Sequence, residues 1–207
     1  MTAKPASPKG RAARGAGGEP RDEQLVAIAA ALFAEKGYEG TSLREIADAA
    51  GMTKAALYYW FPEKERLFER VVAGRMSMLM ERALAAVGDA TSHIEKIRRF
   101  LVASVEQMDE NRFSWMASSN TFWSNFNVDH RKAVVPYRDQ YERQLRRYIT
   151  DAVEQGELRP IDPAIATRLL LSGLNFLPRW HKKEGPLSAA QVMEQYLDIA
   201  LEGMRPR

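Results

Sequence analysis

Between Thr41 and Lys64 the chain reads TSLREIADAAGMTKAALYYWFPEK, two short runs of helical periodicity separated by a glycine. Ser42 suits an N-cap, and Glu45 three residues on completes a capping box. Leu43, Ile46, Ala47 and Ala50 fall at i, i+3, i+4 and i+7, which makes one apolar face of a short helix. Gly51 stops that helix, because glycine reaches the left-handed cap without strain. Thr53 caps a second helix, in which Leu57 and Phe61 face inward. Lys54 and Tyr58, also four apart, share a different face, with Tyr59 beside them. Pro62 ends the helix, since the residue before a proline is pushed out of the α region. Two helices joined by a short glycine turn form the helix-turn-helix pattern, whose second helix enters the major groove of DNA.

Composition narrows the alternatives. The chain has 207 residues, 45% of them hydrophobic, a net charge of +3 and no cysteine. A disulfide framework and thiolate metal sites are therefore excluded. No apolar run approaches the roughly 18 residues that a membrane span needs, and the first residues lack the apolar core of a signal peptide. The expectation is a cytoplasmic protein with no membrane partner. Positive and negative side chains nearly balance over the first 70 residues, so affinity for DNA must come from placement rather than total charge. Enzymatic readings find no support. His93, His130 and His181 are far apart and lack metalloprotease spacing. There is no G-x-S-x-G elbow, no glycine-rich phosphate loop and no cysteine nucleophile. No catalytic residue, metal or cofactor is expected.

The whole chain reads as helical. Residues 1–20 are rich in Gly, Ala and Pro and carry Lys4, Lys9, Arg11 and Arg14. They predict a disordered basic arm, either a solvated tail or an arm that reaches a minor groove. A first helix starts near Arg21 or Asp22, with Leu25, Ile28, Ala29, Leu32 and Phe33 on one face and Gly37 at its end. A longer helix runs from Glu63 to about Val87, with Met76, Met78 and Met80 spread around its axis, a placement that suits core filling in preference to the alternative of ligand contacts. Ser92 and Glu95 predict another capping box, opening a helix that ends near Asn111. A helix over residues 129–155 contains Pro136, which predicts a kink or a late start. Asp162 and Pro163 open a strongly apolar helix that ends at Pro178. Ser188 and Gln191 cap the last helix.

The run from Leu32 to Leu67, LFAEKGYEGTSLREIADAAGMTKAALYYWFPEKERL, resembles the DNA-binding domain of TetR-type transcriptional regulators, a match that extends from Val26 to Val71. The resemblance implies an all-α protein with a DNA-binding domain over residues 21–70 and a larger ligand-binding and dimerisation domain over 71–207. Its partners would be double-stranded operator DNA, a second copy of the chain and a hydrophobic small-molecule effector that releases it from the operator. In this reading Thr41, Thr53 and Lys64 contact phosphates, and Lys54 reads a base edge, guanine O6/N7 in particular. Ala55 lies close to a base, and Tyr58 and Tyr59 reach phosphates or a thymine methyl. Ala56 and Trp60 stand where relatives often have threonine and histidine, so the operator sequence does not transfer. Two reading helices on a two-fold dimer would sit about 34–36 Å apart, or a multiple of it.

The remainder of the chain supplies the expected sensor. Two apolar C-terminal helices need a partner surface, and a two-fold four-helix bundle would cover them through Leu171, Leu174, Val192, Tyr196 and Ile199. The stretch RFSWMASSNTFWSNFN mixes aromatics with small polar groups, which suits either core or a cavity lining. In the cavity reading Trp115, Phe122, Trp123 and Phe126, with Asn175 and Phe176, bind the effector. The last 65 residues are similar to sensor domains of a TetR subgroup that regulates fatty-acid and steroid breakdown. That similarity implies an acyl-CoA-type or steroid-like ligand. Arg179, His181, Lys182 and Lys183 are then either a solvated basic turn or a site for the phosphates of a CoA head group.

Overall fold

The computed structural model describes residues 21–112, Trp115 and residues 128–206. The expected N-terminal arm lies outside the described residues. The helices are α1 (Arg21–Lys36), α2 (Leu43–Ala49), α3 (Lys54–Trp60), α4 (Lys64–Val87), α5 (His93–Glu110), α6 (Val128–Glu154), α7 (Pro163–Trp180) and α8 (Ala189–Glu202), with no strand among the described residues. None of them is long and apolar enough to cross a membrane.

Two hydrophobic clusters organise the chain. The first gathers Leu25, Ala29 and Phe33 of α1, Ile46 of α2, Leu57 of α3 and Leu67, Phe68 and Val71 of α4. Phe33, Tyr38 and Phe68 form its aromatic centre, with ring centroids 4.8–5.6 Å apart. Each such side chain contributes about 1.5–3 kcal/mol on burial. The second cluster is built on α5, whose Ile97, Phe100, Leu101, Val105 and Met108 are buried against α4, α6, α7 and α8. The 24 residues of α4 span roughly 36 Å, and they belong to both clusters. Leu67, Phe68 and Val71 pack in the first, Leu79, Ala83 and Val87 in the second.

Local chemistry sets the helix ends, with three departures from the sequence reading. Glu63 is the N-cap of α4 but makes no side-chain cap bond, and the helix begins at Lys64. At α5 the Ser92 hydroxyl accepts the Glu95 amide at 3.1 Å, but the Glu95 carboxylate turns to Arg99 at 2.7 Å instead of closing the box. Glu157, from the turn after α6, takes the orphan amides of His93 and Ile94 at 2.9 and 3.0 Å. A carboxylate remote in sequence thus caps the helix. Pro178 does not end α7. It packs in the core, and the last turn closes beyond it through the His181 amide and the Leu177 carbonyl at 2.9 Å. Pro136 lies inside a continuous α6, which removes the late-start alternative.

Candidate nucleic-acid interface and internal cavity

Helix α3 is anchored from below and open above. The Thr53 hydroxyl accepts the Ala56 amide at 3.2 Å, and Leu57 and Phe61 are buried in the first cluster. The Gly51 backbone, at φ 63°, makes the turn from α2 that an L side chain adopts only with strain. With the inner face fixed, Thr53, Lys54, Ala55, Tyr58, Tyr59 and Trp60 are exposed together. Tyr59 is 83% exposed, unusual for so large a ring. The Lys54 ammonium lies 5.3 Å from the Tyr58 ring centroid, so cation and aromatic form one surface unit. Trp60, which the sequence reading counted only as a lost polar group, is exposed beside Tyr59 with ring centroids 5.9 Å apart.

Two expected phosphate contacts are placed differently. Thr41 is 1% exposed, and its hydroxyl donates to the carbonyls of Gly37 at 2.9 Å and Leu32 at 3.2 Å. Its side chain ties the α1–α2 turn together and does not face outward. Lys64 donates to the carbonyls of Tyr38 at 2.8 Å and Thr41 at 3.1 Å, which occupies two of its three N–H groups. These two residues hold the approach to α2 against the start of α4. A third brace is Glu45. It accepts from the Ser42 amide at 2.8 Å and from Lys36 at 3.0 Å, and these bonds hold its carboxyl down at about 2.

A cavity of about 430 Å³ lies where the two clusters meet. This is the size range that buries a small organic ligand, roughly 300–1,000 Å³. Its walls come from α4 (Val72, Met76, Leu79), α6 (Val134, Tyr141), α7 (Leu171, Leu174) and, on the side of the first cluster, Ala27 and Ala30 of α1. Polar groups enter as Arg75, Gln107, Asn111, Arg138 and Glu142. Burial lowers the Arg75 guanidinium to about 10 and also lowers that of Arg138. Tyr141 is held by its hydroxyl, which donates to Ser104 at 2.6 Å, and burial raises its pKa.

Of the expected ligand residues, Trp115 and Asn175 line this cavity. Phe122, Trp123 and Phe126 lie outside the described residues. Phe176 does not line it. One residue past Asn175 turns the helix by about 100°, and Phe176 is 63% exposed, with the Arg179 guanidinium 5.3 Å from its ring. Met76 and Met78, read as core filling in preference to ligand contacts, are both part of the wall. The basic turn is divided. Arg179, Lys182 and Lys183 are exposed, whereas His181 is buried, with Nε2 2.8 Å from the Leu187 carbonyl and Nδ1 2.6 Å from an Arg112 nitrogen. A donated Nε2–H and an accepting Nδ1 satisfy both contacts. None of the four lines the cavity.

The expected dimer face is also redrawn. Leu174 is 1% exposed and belongs to the core, so it offers nothing to a partner. Leu171, Val192 and Tyr196 are half-buried against that core, while Ile199 is 78% exposed. Ile165, Leu169, Phe176 and Trp180 add an exposed apolar stripe along α7. Among the described residues no cluster of His, Cys, Asp and Glu is placed to hold a metal ion.

Comparison with known proteins places the chain in a family. The model of bacterial regulatory proteins of the tetR family matches residues 25–71, and that of the tetracyclin repressor-like C-terminal domain matches residues 90–204. The chain is 31% identical over 186 residues to the HTH-type transcriptional repressor KstR2 of Mycolicibacterium smegmatis, covering 89% of this chain and 90% of that protein. Among solved structures it is similar to the ketosteroid transcriptional regulator KstR2 of Mycobacterium tuberculosis (TM-score 0.73, 26% identity, 92% of this chain and 98% of that one). It is also similar to AibR in complex with isovaleryl coenzyme A and operator DNA (TM-score 0.74, 25% identity, 87% of this chain and 97% of that one). The chain belongs to the TetR family of bacterial regulatory proteins and is a DNA-binding transcriptional repressor, not an enzyme.

Proposed function

We propose that this repressor is a cytoplasmic homodimer that leaves its operator when a hydrophobic small molecule of fatty-acyl or steroid-like type fills the cavity. The boundary between the DNA-binding residues 21–70 and the sensor residues 71–207 falls inside α4 in this reading. The observation that carries it is the cavity of about 430 Å³ walled by Ala27 and Ala30 of α1 together with α4, α6 and α7. A ligand there presses on α1, whose other face packs under the helix-turn-helix. Its differential affinity for the two arrangements sets how far the population shifts. A sensor packed solid would favour a DNA-binding protein without a ligand, and a cavity of this size weighs against that.

On DNA, Lys54 reads a base edge, Thr53 and the two tyrosines meet the backbone, and Ala55 allows close approach. The apolar surface of α7 and α8 around Ile199, Val192 and Tyr196 pairs with its two-fold copy. The ligand class draws support from the relatives, one described as a ketosteroid regulator and another bound to isovaleryl coenzyme A.

The test starts from an operator selected out of random duplexes. Operator-bound protein is titrated with acyl-CoAs, free acids, steroids and sugars while DNA release is followed by fluorescence anisotropy. Release by apolar ligands and not by sugars is expected. Failure of every apolar ligand to release the DNA would discard the effector reading.

A further inference from the structure

An apolar molecule in the cavity needs a way in, and the wall shows where it meets solvent. Among the described residues of the wall, Ala27, Met78, Asn111 and Asn175 are exposed. Met78 is 62% exposed, whereas Leu79, the next wall residue of α4, is 2% exposed. Met78 of α4 and Asn111 at the end of α5 belong to one side. With Gln107 they also line a second hollow of about 270 Å³, so the cavity continues outward between α4 and α5. The other two exposed residues make poorer openings. Ala27 lies on α1, and parting α1 from α4 would break the first cluster, in which Leu25 and Ala29 pack with Leu67 and Val71. Asn175 adjoins Phe176 on the apolar stripe of α7 that faces a second copy in the proposed dimer.

The rim of the outer hollow is tied shut. Arg82 of α4 donates to both carboxylate oxygens of Glu110 of α5, at 2.5 and 2.8 Å. Glu106, one turn earlier on α5, lies 3.9 Å from the same guanidinium. Paired N–H donors on one carboxylate give this contact a fixed geometry. It bridges the two helices that flank the passage, and both side chains are part exposed, so salt screens it. Met78 stands on the inner side of this bridge. Its unbranched side chain, with three rotatable bonds, can fill the mouth or swing clear of it.

Resting on the reading that the cavity holds an apolar effector, we propose that the effector enters and leaves between α4 and α5 past Met78, and that the Arg82–Glu110 ion pair is the latch on this passage. The latch stands outside the chamber. It therefore sets the rates of exchange and leaves the affinity nearly unchanged.

The experiment is stopped-flow binding of the neutral fluorescent probe N-phenyl-1-naphthylamine to the full chain. Arg82→Met keeps the aliphatic stem and removes the donors. It should raise the association and dissociation rates together by about two- to fivefold, the range an exposed ion pair can hold, with Kd changed less than about twofold. Added salt should speed exchange in the native protein and not in Arg82→Met. The chain has no cysteine, so Met78→Cys gives one site for N-cyclohexylmaleimide. Modification there should slow both rates at least several-fold, and modification of Asn175→Cys should not. The salt series in the native protein stands even if a variant fails to fold. Exchange that ignores both salt and Arg82→Met overturns the latch. Exchange slowed at position 175 and not at 78 overturns the passage, and both results leave the apolar effector intact. A native protein that binds no probe overturns this proposal together with the effector reading.

Discussion

The Lys64 ammonium sits 4.1 Å from the ring centroid of Tyr38 and donates to that residue's own carbonyl at 2.8 Å. With the Thr41 carbonyl at 3.1 Å it closes a small knot between the α1–α2 turn and the start of α4. A charged donor on two carbonyls and an aromatic face is worth about 1–3 kcal/mol. Lys64→Met keeps the aliphatic stem and removes the donors, so it should lower the stability of the first cluster by that amount in urea unfolding. The salt dependence of DNA binding should stay unchanged. A slope reduced by about 1 per half-site with native stability would mean that the third N–H neutralises a phosphate and that the knot is secondary.

Lys54 is the contrasting case, exposed on α3 and stacked near Tyr58. Lys54→Ala should cost roughly 1–3 kcal/mol on the selected operator and relax preference at one base position. Binding measured on a panel of operators mutated one base pair at a time decides this. Equal loss on every sequence would reassign Lys54 to the DNA backbone.

How much of this was legible depended on how far apart the causes lie. The ends of α1, α2 and α3 are set by Gly37, Ser42, Glu45, Gly51 and Thr53, each acting within a few residues, and they read directly from the chain. Thr41 did not, because nothing local says that the carbonyls of Leu32 and Gly37 come within reach of its hydroxyl. The same holds for Glu157, which caps α5 from more than sixty residues away. The cavity is the extreme case. Arg75, Gln107 and Arg138 look like ordinary polar positions on three separate helices, and only the way those helices pack brings them to one wall. Asn175 and Phe176 are adjacent in sequence, yet one lines the cavity and the other faces outward, a distinction that turns on a helical phase the sequence leaves open.

Glu45 predicts a pH dependence with a definite sign. Its carboxyl is lowered from 4.5 to about 2 by the Ser42 amide, then by Lys36 and the Ser42 hydroxyl. A depressed carboxylate favours the folded state fully above the unfolded value, and that contribution disappears as pH falls through the folded value. The stability difference between wild type and Glu45→Ala should therefore be constant above about pH 5 and shrink steadily between about 4.5 and 2. Thermal melts of both proteins across this window measure it. A difference that persists unchanged at pH 2 would show that the carboxylate charge is not what stabilises the cap.

The paired-helix surface makes a prediction that separates core from interface. Ile199 is 78% exposed and Leu174 is 1% exposed, although both lie on the two C-terminal helices. Ile199→Glu should give a folded, soluble monomer at micromolar concentration with weakened operator binding. Leu174→Glu buries a charge at a cost of several kcal/mol and should unfold the sensor. Sedimentation velocity and circular dichroism read the two outcomes. A dimer of unchanged affinity carrying Ile199→Glu would place the two-fold contact elsewhere.

Helices α7 and α8 meet at a point where no side chain fits. A Cβ added to Gly173 would lie 2.6 Å from two atoms of the Tyr196 ring and 3.1 Å from a third. The ring is not free to swing aside at no cost, since its hydroxyl donates to the Leu169 carbonyl at 2.9 Å. Gly173→Ala must therefore break that hydrogen bond or push the helices apart, a loss of about 1–3 kcal/mol. Alanine's better helix propensity returns roughly 1 kcal/mol, so the net loss is smaller than the clash alone. The double mutant Gly173→Ala with Tyr196→Ala removes the clash and should recover most of that loss relative to Tyr196→Ala alone. A double-mutant cycle in urea unfolding gives the coupling directly. A coupling energy near zero would mean that α8 shifts to accommodate the methyl group, and that Gly173 does not set the spacing of the two helices.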